Sequence, residues 1–269
     1  MLSVYYRYLV ERKGFWYALI MQNETIKVVY EEERFLVVEK PAGLPTVPLA
    51  RNPEGPSLLT WLRHDFPEVA DSGGMHAHEG LILHRLDTET CGLVLAARDR
   101  ESYRLIQEAQ GNKLFEKTYI AATAPGQRLD GFPPLPGTWE ASGEPFTVES
   151  RFRPYGRKGA QVRPVIESSS HYAQVKGGAV WYATTVTPLG VNDCGDLLYQ
   201  CTIVRGFRHQ VRCHLAWTGY PIRGDAAYGG VEDEVLHLAA VSIRFPHPET
   251  KRMCKVDWEG SPAWTFRIS

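Results

Sequence analysis

His84, Arg85 and Asp87 fall within "LILHRLDTETCGLVLAARD", residues 81–99, between an apolar run at Leu81–Leu83 and another at Leu93–Ala97. A carboxylate held at the edge of a core is poorly solvated and needs a cation. If it stays ionised there, it is a candidate nucleophile or base. Arg85, two residues before Asp87, would share its face on an extended strand, and Arg208 and Arg212 are remote alternatives from a later segment. Taken alone, the same three letters far more often mark a buried Asp–Arg pair that only fixes a turn.

Other reactive groups give weaker patterns. The histidines at 76, 78, 84, 209, 214 and 237 include the close pairs "HAH" and "HQVRCH", but there is no H-E-x-x-H and no carboxylate set at ligand spacing, so no metal is expected. Phosphate-binding loops of the G-x-x-x-x-G-K-[ST] and G-x-G-x-x-G types and the G-x-S-x-G elbow are missing from the sequence, which points to chemistry without a cofactor. "RFRPYGRKGAQVRP", residues 151–164, interleaves Arg151, Arg153, Arg157, Lys158 and Arg163 with Phe152 and Tyr155. That mixture suits phosphates and stacked bases, and suits a solvated loop equally.

The elements that must carry these groups follow from periodicity. Residues 26–48, "IKVVYEEERFLVVEKPAGLPTVP", predict a hairpin feeding a rigid Pro/Gly loop. "SLLTWLRHDFPE" predicts a short helix with Ser57 as cap, Leu58, Leu62 and Phe66 on one face and Pro67 as its stop. The opening segment reads as strand–loop–strand, followed by a helix that Asp99 caps and Gly111 ends, with Tyr103, Ile106 and Ala109 inward. "EKTYIAAT" (116–123), "VWYATTVTPL" and "LLYQCTIV" predict strands, and residues 125–180 predict short strands and long loops. In "RHQVRCHLAWTGYP" the spacing of Val211, Leu215 and Thr218 predicts a helix closed by Gly219.

The chain has 269 residues, of which 43% are hydrophobic, enough for an ordinary packed core. No apolar stretch reaches a membrane span, since Arg7, Glu11, Arg12 and Lys13 interrupt the amino-terminal one, and neither a secretion signal nor an anchor is expected. The five cysteines, Cys91, Cys194, Cys201, Cys213 and Cys254, show no C-x-x-C and read as buried free thiols in a reducing cytoplasm. With a net charge of -1, any nucleic-acid binding must come from a local patch. Arginine outnumbers lysine by 21 to 9, which leans that patch toward forked phosphate recognition.

Taken in order, these segments resemble one family. "HRLDTETCGLVLAA" is similar to the H-R-L-D-x-x-T-S-G-L signature of the RluA-type pseudouridine synthases, which isomerise uridine in RNA. "VVEKPAGLPTVP", "KTYIA", "RHQVRCHLAWTGYPIRGDAAYGG" and "LHLAAVSIRFPHPET" resemble further landmarks of the family, so the likeness covers roughly residues 26 to 258. Two departures stand out: Gly206–Phe207–Arg208 replaces the usual Gly-Arg-Thr before His-Gln, and Cys91 replaces a Ser.

The resemblance implies an α+β fold with a mixed, mostly antiparallel central sheet flanked by helices and loops. It implies a catalytic domain over 26–269 behind an arm of residues 1–25 too short for an S4 module. It implies Asp87 as catalytic carboxylate, Arg212 as its cation and Tyr119 against the target base, with His84, Arg85, Thr90, Arg208, His209 and Gln210 binding substrate. The expected protein is a cytoplasmic monomer acting on ribosomal or transfer RNA without cofactor, metal or membrane. A non-catalytic RNA-binding protein that keeps the scaffold is the alternative.

Overall fold

The structure, a computed structural model, describes residues 26–70, 79–126, 129–135, 143–260 and 264. The expected arm 1–25 and the pair His76 and His78 lie outside the described residues. Within the span expected as one catalytic domain, the chain divides after Leu105 into two compact units. No helix among the described residues is long and apolar enough to cross a membrane.

In the first unit the acidic turn does produce a hairpin. Strands β1 (Lys27–Glu31) and β2 (Phe35–Lys40) pair antiparallel, and β2 pairs on its other edge with β3 (Cys91–Ala97), from Phe35↔Ala97 to Lys40↔Gly92. A central position explains why β2 reads as a continuous apolar run, with Phe35, Leu36, Val37 and Val38 all fully buried. Helix α1 (Leu58–Asp65) starts as the sequence predicts: the Ser57 hydroxyl accepts the Thr60 amide at 3.0 Å. It buries Leu58, Leu59 and Leu62, and Pro67 opens a separate 3-10 turn.

One expectation for this unit fails. The run Leu81–Leu86 is not a strand: it touches β3 through a single bridge, Ile82↔Ala96, with the Leu83 amide on the Leu95 carbonyl at 2.9 Å. Pairing stops there because the next donor, the Leu95 amide, goes to the imidazole Nε2 of His84 at 3.2 Å. A side chain has replaced a ladder carbonyl, which frees the chain to turn at Asp87.

Helix α2 (Arg100–Gly111) spans the division between the units, and Asp99 caps it through the Ser102 amide at 2.8 Å and the Ser102 hydroxyl at 2.7 Å. The helix ends at Gly111, as the sequence predicts, and Lys113 just beyond it takes the left-handed region at φ 60, while the Leu114 amide reaches the Ala109 carbonyl and the Lys113 amide that of Gln110.

The second unit is an antiparallel sheet in the order β9-β4-β8-β7-β5-β6, with β10 also pairing β9. Its strands are β4 (Glu116–Thr123), β5 (Phe146–Tyr155), β6 (Gln161–Val165), β7 (Tyr182–Val191), β8 (Leu197–Ile203), β9 (Leu238–Pro246) and β10 (Met253–Asp257). The stretch expected to be short strands and long loops holds the ten-residue β5 and helix α3 (His171–Lys176). Charged residues alternate along β5 because only one of its faces is covered, and that alternation resembles a solvated loop in composition.

Helix α4 (Gln210–Trp217) is where the sequence puts it, and Gly219 at φ +91 closes it. The expected one-sided apolar stripe is absent, for every residue of α4 is buried. Its polar side chains are satisfied inside the protein, as Gln210, Arg212 and His214 below show, so polarity gave no sign of depth. All five cysteines are free thiols, but only Cys201 and Cys213 are buried, and Cys194 is exposed.

Replacing Lys113 with glycine removes a Cβ from a left-handed residue that closes a helix. We expect Lys113→Gly to stabilise the protein by about 0.5–1 kcal/mol, read as a higher urea midpoint at unchanged slope.

Candidate active site

Asp87 begins a tight turn in which the Thr90 amide donates to the Asp87 carbonyl at 3.1 Å, and its side chain is half-buried. The Pro/Gly loop after β2 pins that turn from both sides. The Thr46 hydroxyl donates to the Leu86 carbonyl at 2.9 Å and accepts the Leu86 amide at 3.1 Å. Lys40, fully buried, donates its ammonium to the carbonyls of Pro41, Leu44 and Thr88 at 2.8, 2.7 and 3.1 Å. Leu86 and Thr88 flank Asp87, so the backbone that carries the carboxylate cannot shift without unmaking charge-assisted bonds. Lys40 and Thr46 were visible only as part of the "VVEKPAGLPTVP" landmark, and their reach across 48 and 40 positions left no local signal.

Among the other expected site residues of this unit, Arg85 is open to solvent, with 55% of its side chain exposed and Nη1 donating to Glu79 at 2.8 Å. Thr90 is buried. His84 is buried, with Nε2 committed to the Leu95 amide, a structural use of a residue expected to bind substrate.

In the second unit Arg212 is held by a carboxylate that sequence reasoning did not single out. Its Nε and Nη2 donate to the two oxygens of Asp225, both at 2.7 Å, and Asp225 has no exposed side-chain surface. The "GDAAYGG" segment is shaped for this pair. A Cβ at Gly224, which sits at φ +78, would meet the Val235 carbonyl oxygen at 1.8 Å, and one at Gly230 would meet the Ile222 carbonyl oxygen at 1.9 Å. The turn therefore closes only with glycines there, and Asp225 is carried under the guanidinium.

Tyr228, fully buried, places its ring 5.4 Å from the Arg212 guanidinium carbon. Its hydroxyl accepts the Val162 amide at 2.9 Å and lies 3.2 Å from His209 Nδ1. His209 itself sits at φ 56 as the residue before α4, a left-handed position that is uncommon for a residue with a side chain.

Gln210, expected to bind substrate, is buried and serves the protein: it accepts the Phe207 amide at 3.0 Å and donates to the Ala183 carbonyl at 2.9 Å and the Thr184 hydroxyl at 3.1 Å. Arg208 is exposed and donates to the carbonyls of Gly159 and Ala160. His214, one of the histidines that suggested a metal, lies fully buried between Ser150 and Thr184 at 3.0 and 2.8 Å. Burial pushes its pKa down to about 3, so it is a neutral hydrogen-bonding group.

Tyr119 is buried on β4, opposite Cys201 of β8 and Ala240 of β9. Lys117, two residues earlier, shares its face. It too is buried, and among the described residues no hydrogen bond or ion pair reaches its ammonium, which sits 5.9 Å from the Phe115 ring and 2.8 Å from where a Cβ on Gly206 would be. Desolvation pushes its pKa down to about 8 from an ordinary 10.5.

Such a cation weakens the fold. Between pH 8 and 10.5 the unfolded chain binds more protons at Lys117 than the folded one, so the penalty is full below pH 8 and is relieved as the pH rises through that window. Lys117→Met should raise the melting temperature at pH 7 and remove that rise. The measurement is the difference between variant and parent in denaturant titrations from pH 7 to 10.5, because the thiols of Cys201 and Cys213, pushed up by burial, contribute equally to both proteins.

A family model for RNA pseudouridylate synthase matches residues 34–217. Ribosomal large subunit pseudouridine synthase D of Pseudomonas aeruginosa is 28% identical over 230 residues, which cover 82% of this chain and 58% of that protein. Its namesake from Zymomonas mobilis is 27% identical over 251 residues, covering 88% and 70%. The chain thus spans little more than half the length of the first of these relatives. In fold it is similar to human RNA pseudouridylate synthase domain containing 1, with a TM-score of 0.60 at 20% identity over 88% of this chain and 84% of that one. The matched span takes in the Asp87 turn, β4 and the helix of Arg212, and the chain belongs to the RNA pseudouridylate synthase family.

Proposed function

We propose that this protein isomerises uridine to pseudouridine in structured RNA, with Asp87 as the catalytic carboxylate and no cofactor. The observation that carries the reading is the Asp87 turn: a half-buried carboxylate whose neighbouring peptide groups are fixed by Lys40 and Thr46, in a chain of this family. The names of the relatives favour ribosomal over transfer RNA as the substrate.

The reaction breaks the bond from uracil N1 to C1′, turns the base in place and joins C5 to C1′. C5 gives up its proton and N1 gains one, so no oxidant or second substrate enters. An ionised Asp87 starts the sequence by attack on the base or sugar, or by taking a sugar proton, and each route needs the charged form. We assign Arg212 to the reaction on the family resemblance, and Asp225 holds its guanidinium at Nε and Nη2.

Tyr119 supplies a flat apolar face and one hydroxyl, which suits packing on the uracil and taking the C5 proton. The target nucleotide must leave its stack first, at a cost of a few kcal/mol offset by contacts to the RNA backbone. The exposed Arg85 and Arg208 are assigned to those contacts.

Bulk RNA carrying tritium at uracil C5 tests the reading. The parent protein should release tritium to water, and Asp87→Asn should release none while binding RNA normally. Release that survives the substitution would remove Asp87 from its role, and RNA binding without any release by the parent would leave the non-catalytic reading standing.

A further inference from the structure

The departure at Phe207 has a structural counterpart in the basic, aromatic stretch 151–164. Phe207 lies parallel to Phe152 of β5, with ring centroids 4.9 Å apart and planes within 4°, and Phe152 stacks in turn on His214 at 5.0 Å. Tyr182 of β7 braces both phenylalanines, at 5.1 and 5.7 Å. Phe152 is buried, but Phe207, the outermost ring of this column, is 36% exposed. Its position is fixed from behind, because Gln210 Oε1 accepts the Phe207 amide at 3.0 Å.

The surroundings are cationic. Arg205 and Arg208 flank Phe207 in sequence and are exposed, and Arg208 bonds the carbonyls of Gly159 and Ala160, which ties this loop to the turn that carries exposed Arg157 and Lys158. Among the described residues no carboxylate pairs with Arg157, Lys158, Arg205 or Arg208. A rigid aromatic face on a buried column, ringed by unpaired cations, matches a base with its phosphates: the ring accepts a π-face of any sequence, and the cations accept the flanking phosphodiesters. An acidic or apolar protein partner would leave either the ring or the charges without a complement.

We propose that Phe207 is a stacking platform for an unpaired base of the substrate RNA, with Arg157, Lys158, Arg205 and Arg208 on its phosphates. The proposal rests on the reading of the protein as an RNA pseudouridine synthase and adds to it a contact for the substrate strand. The platform is separate from the residues assigned to bond breaking, so its loss weakens RNA binding and raises KM while leaving kcat at saturating RNA close to the parent value.

The probe is a single-stranded oligouridylate with one 2-aminopurine, titrated by fluorescence, alongside tritium release from bulk RNA. Phe207→Leu keeps an apolar cover on Phe152 but lacks a π-face. It should lose the stacking quench and bind at least about fivefold more weakly, whereas Phe207→Trp should restore both. Arg205→Gln should lower the salt dependence of binding by about one phosphate contact. Parent protein irradiated with 5-iodouridine oligonucleotide should yield a cross-linked peptide containing Phe207, which keeps the test open if Phe207→Leu fails to fold. Unchanged quench and affinity in folded Phe207→Leu, or cross-links that all map away from residues 205–208, would overturn the platform. An active parent with those results sinks the platform alone, and a parent that binds through Phe207 but releases no tritium sinks the catalytic reading alone.

Discussion

The bidentate pair between Arg212 and Asp225 is the constraint on which the second unit is organised. A buried guanidinium cannot be left without an anion, because removing one partner of such a pair costs several kcal/mol through the charge that remains. The chain meets that requirement with a turn so tight that Gly224 and Gly230 leave no room for a Cβ, and with a tyrosine whose ring lies beside the cation and whose hydroxyl ties β6 to His209. Helix α4 can then be buried on every side and still carry an arginine. The left-handed His209 at its start is the strained joint by which an exposed loop enters that buried helix.

The first unit solves a parallel problem with a different device. Here the carboxylate of Asp87 lies half-buried on a turn, and the peptide groups around it are held in place. Lys40 and Thr46 hold the residues on either side of Asp87 by their peptide groups, and His84 ends the ladder on β3 so that the chain can turn. The apolar runs around the polar trio are thus the walls of this turn, and the interruption between them marks where the backbone leaves the sheet.

Much of this was legible in the sequence, and the failures share a cause. Hairpin β1–β2, the Ser57 and Asp99 caps, strands β4, β7 and β8 and the end of α4 at Gly219 all follow from local periodicity and turn chemistry. The readings that failed are those in which a distant group overrides the local signal. Leu81–Leu86 has a strand's composition, but an imidazole takes the donor a strand would use. Helix α2 does end at Gly111, but Lys113 rather than that glycine takes the left-handed closing position. His84 Nε2 accepts the Leu95 amide and Gln210 bonds groups of Phe207, Ala183 and Thr184, and Lys40, Thr46, Asp225 and Tyr228 act through partners no spacing rule identifies.

The enclosure of Lys40 has one more consequence. An amine surrounded by three carbonyls and without solvent exposure is sheltered from electrophiles for as long as the loop after β2 stays closed on the Thr88 peptide. Acylation at this position therefore counts the moments when the segment around Asp87 opens, and the folded protein holds, in a single nitrogen, a clock for the local unfolding of that turn.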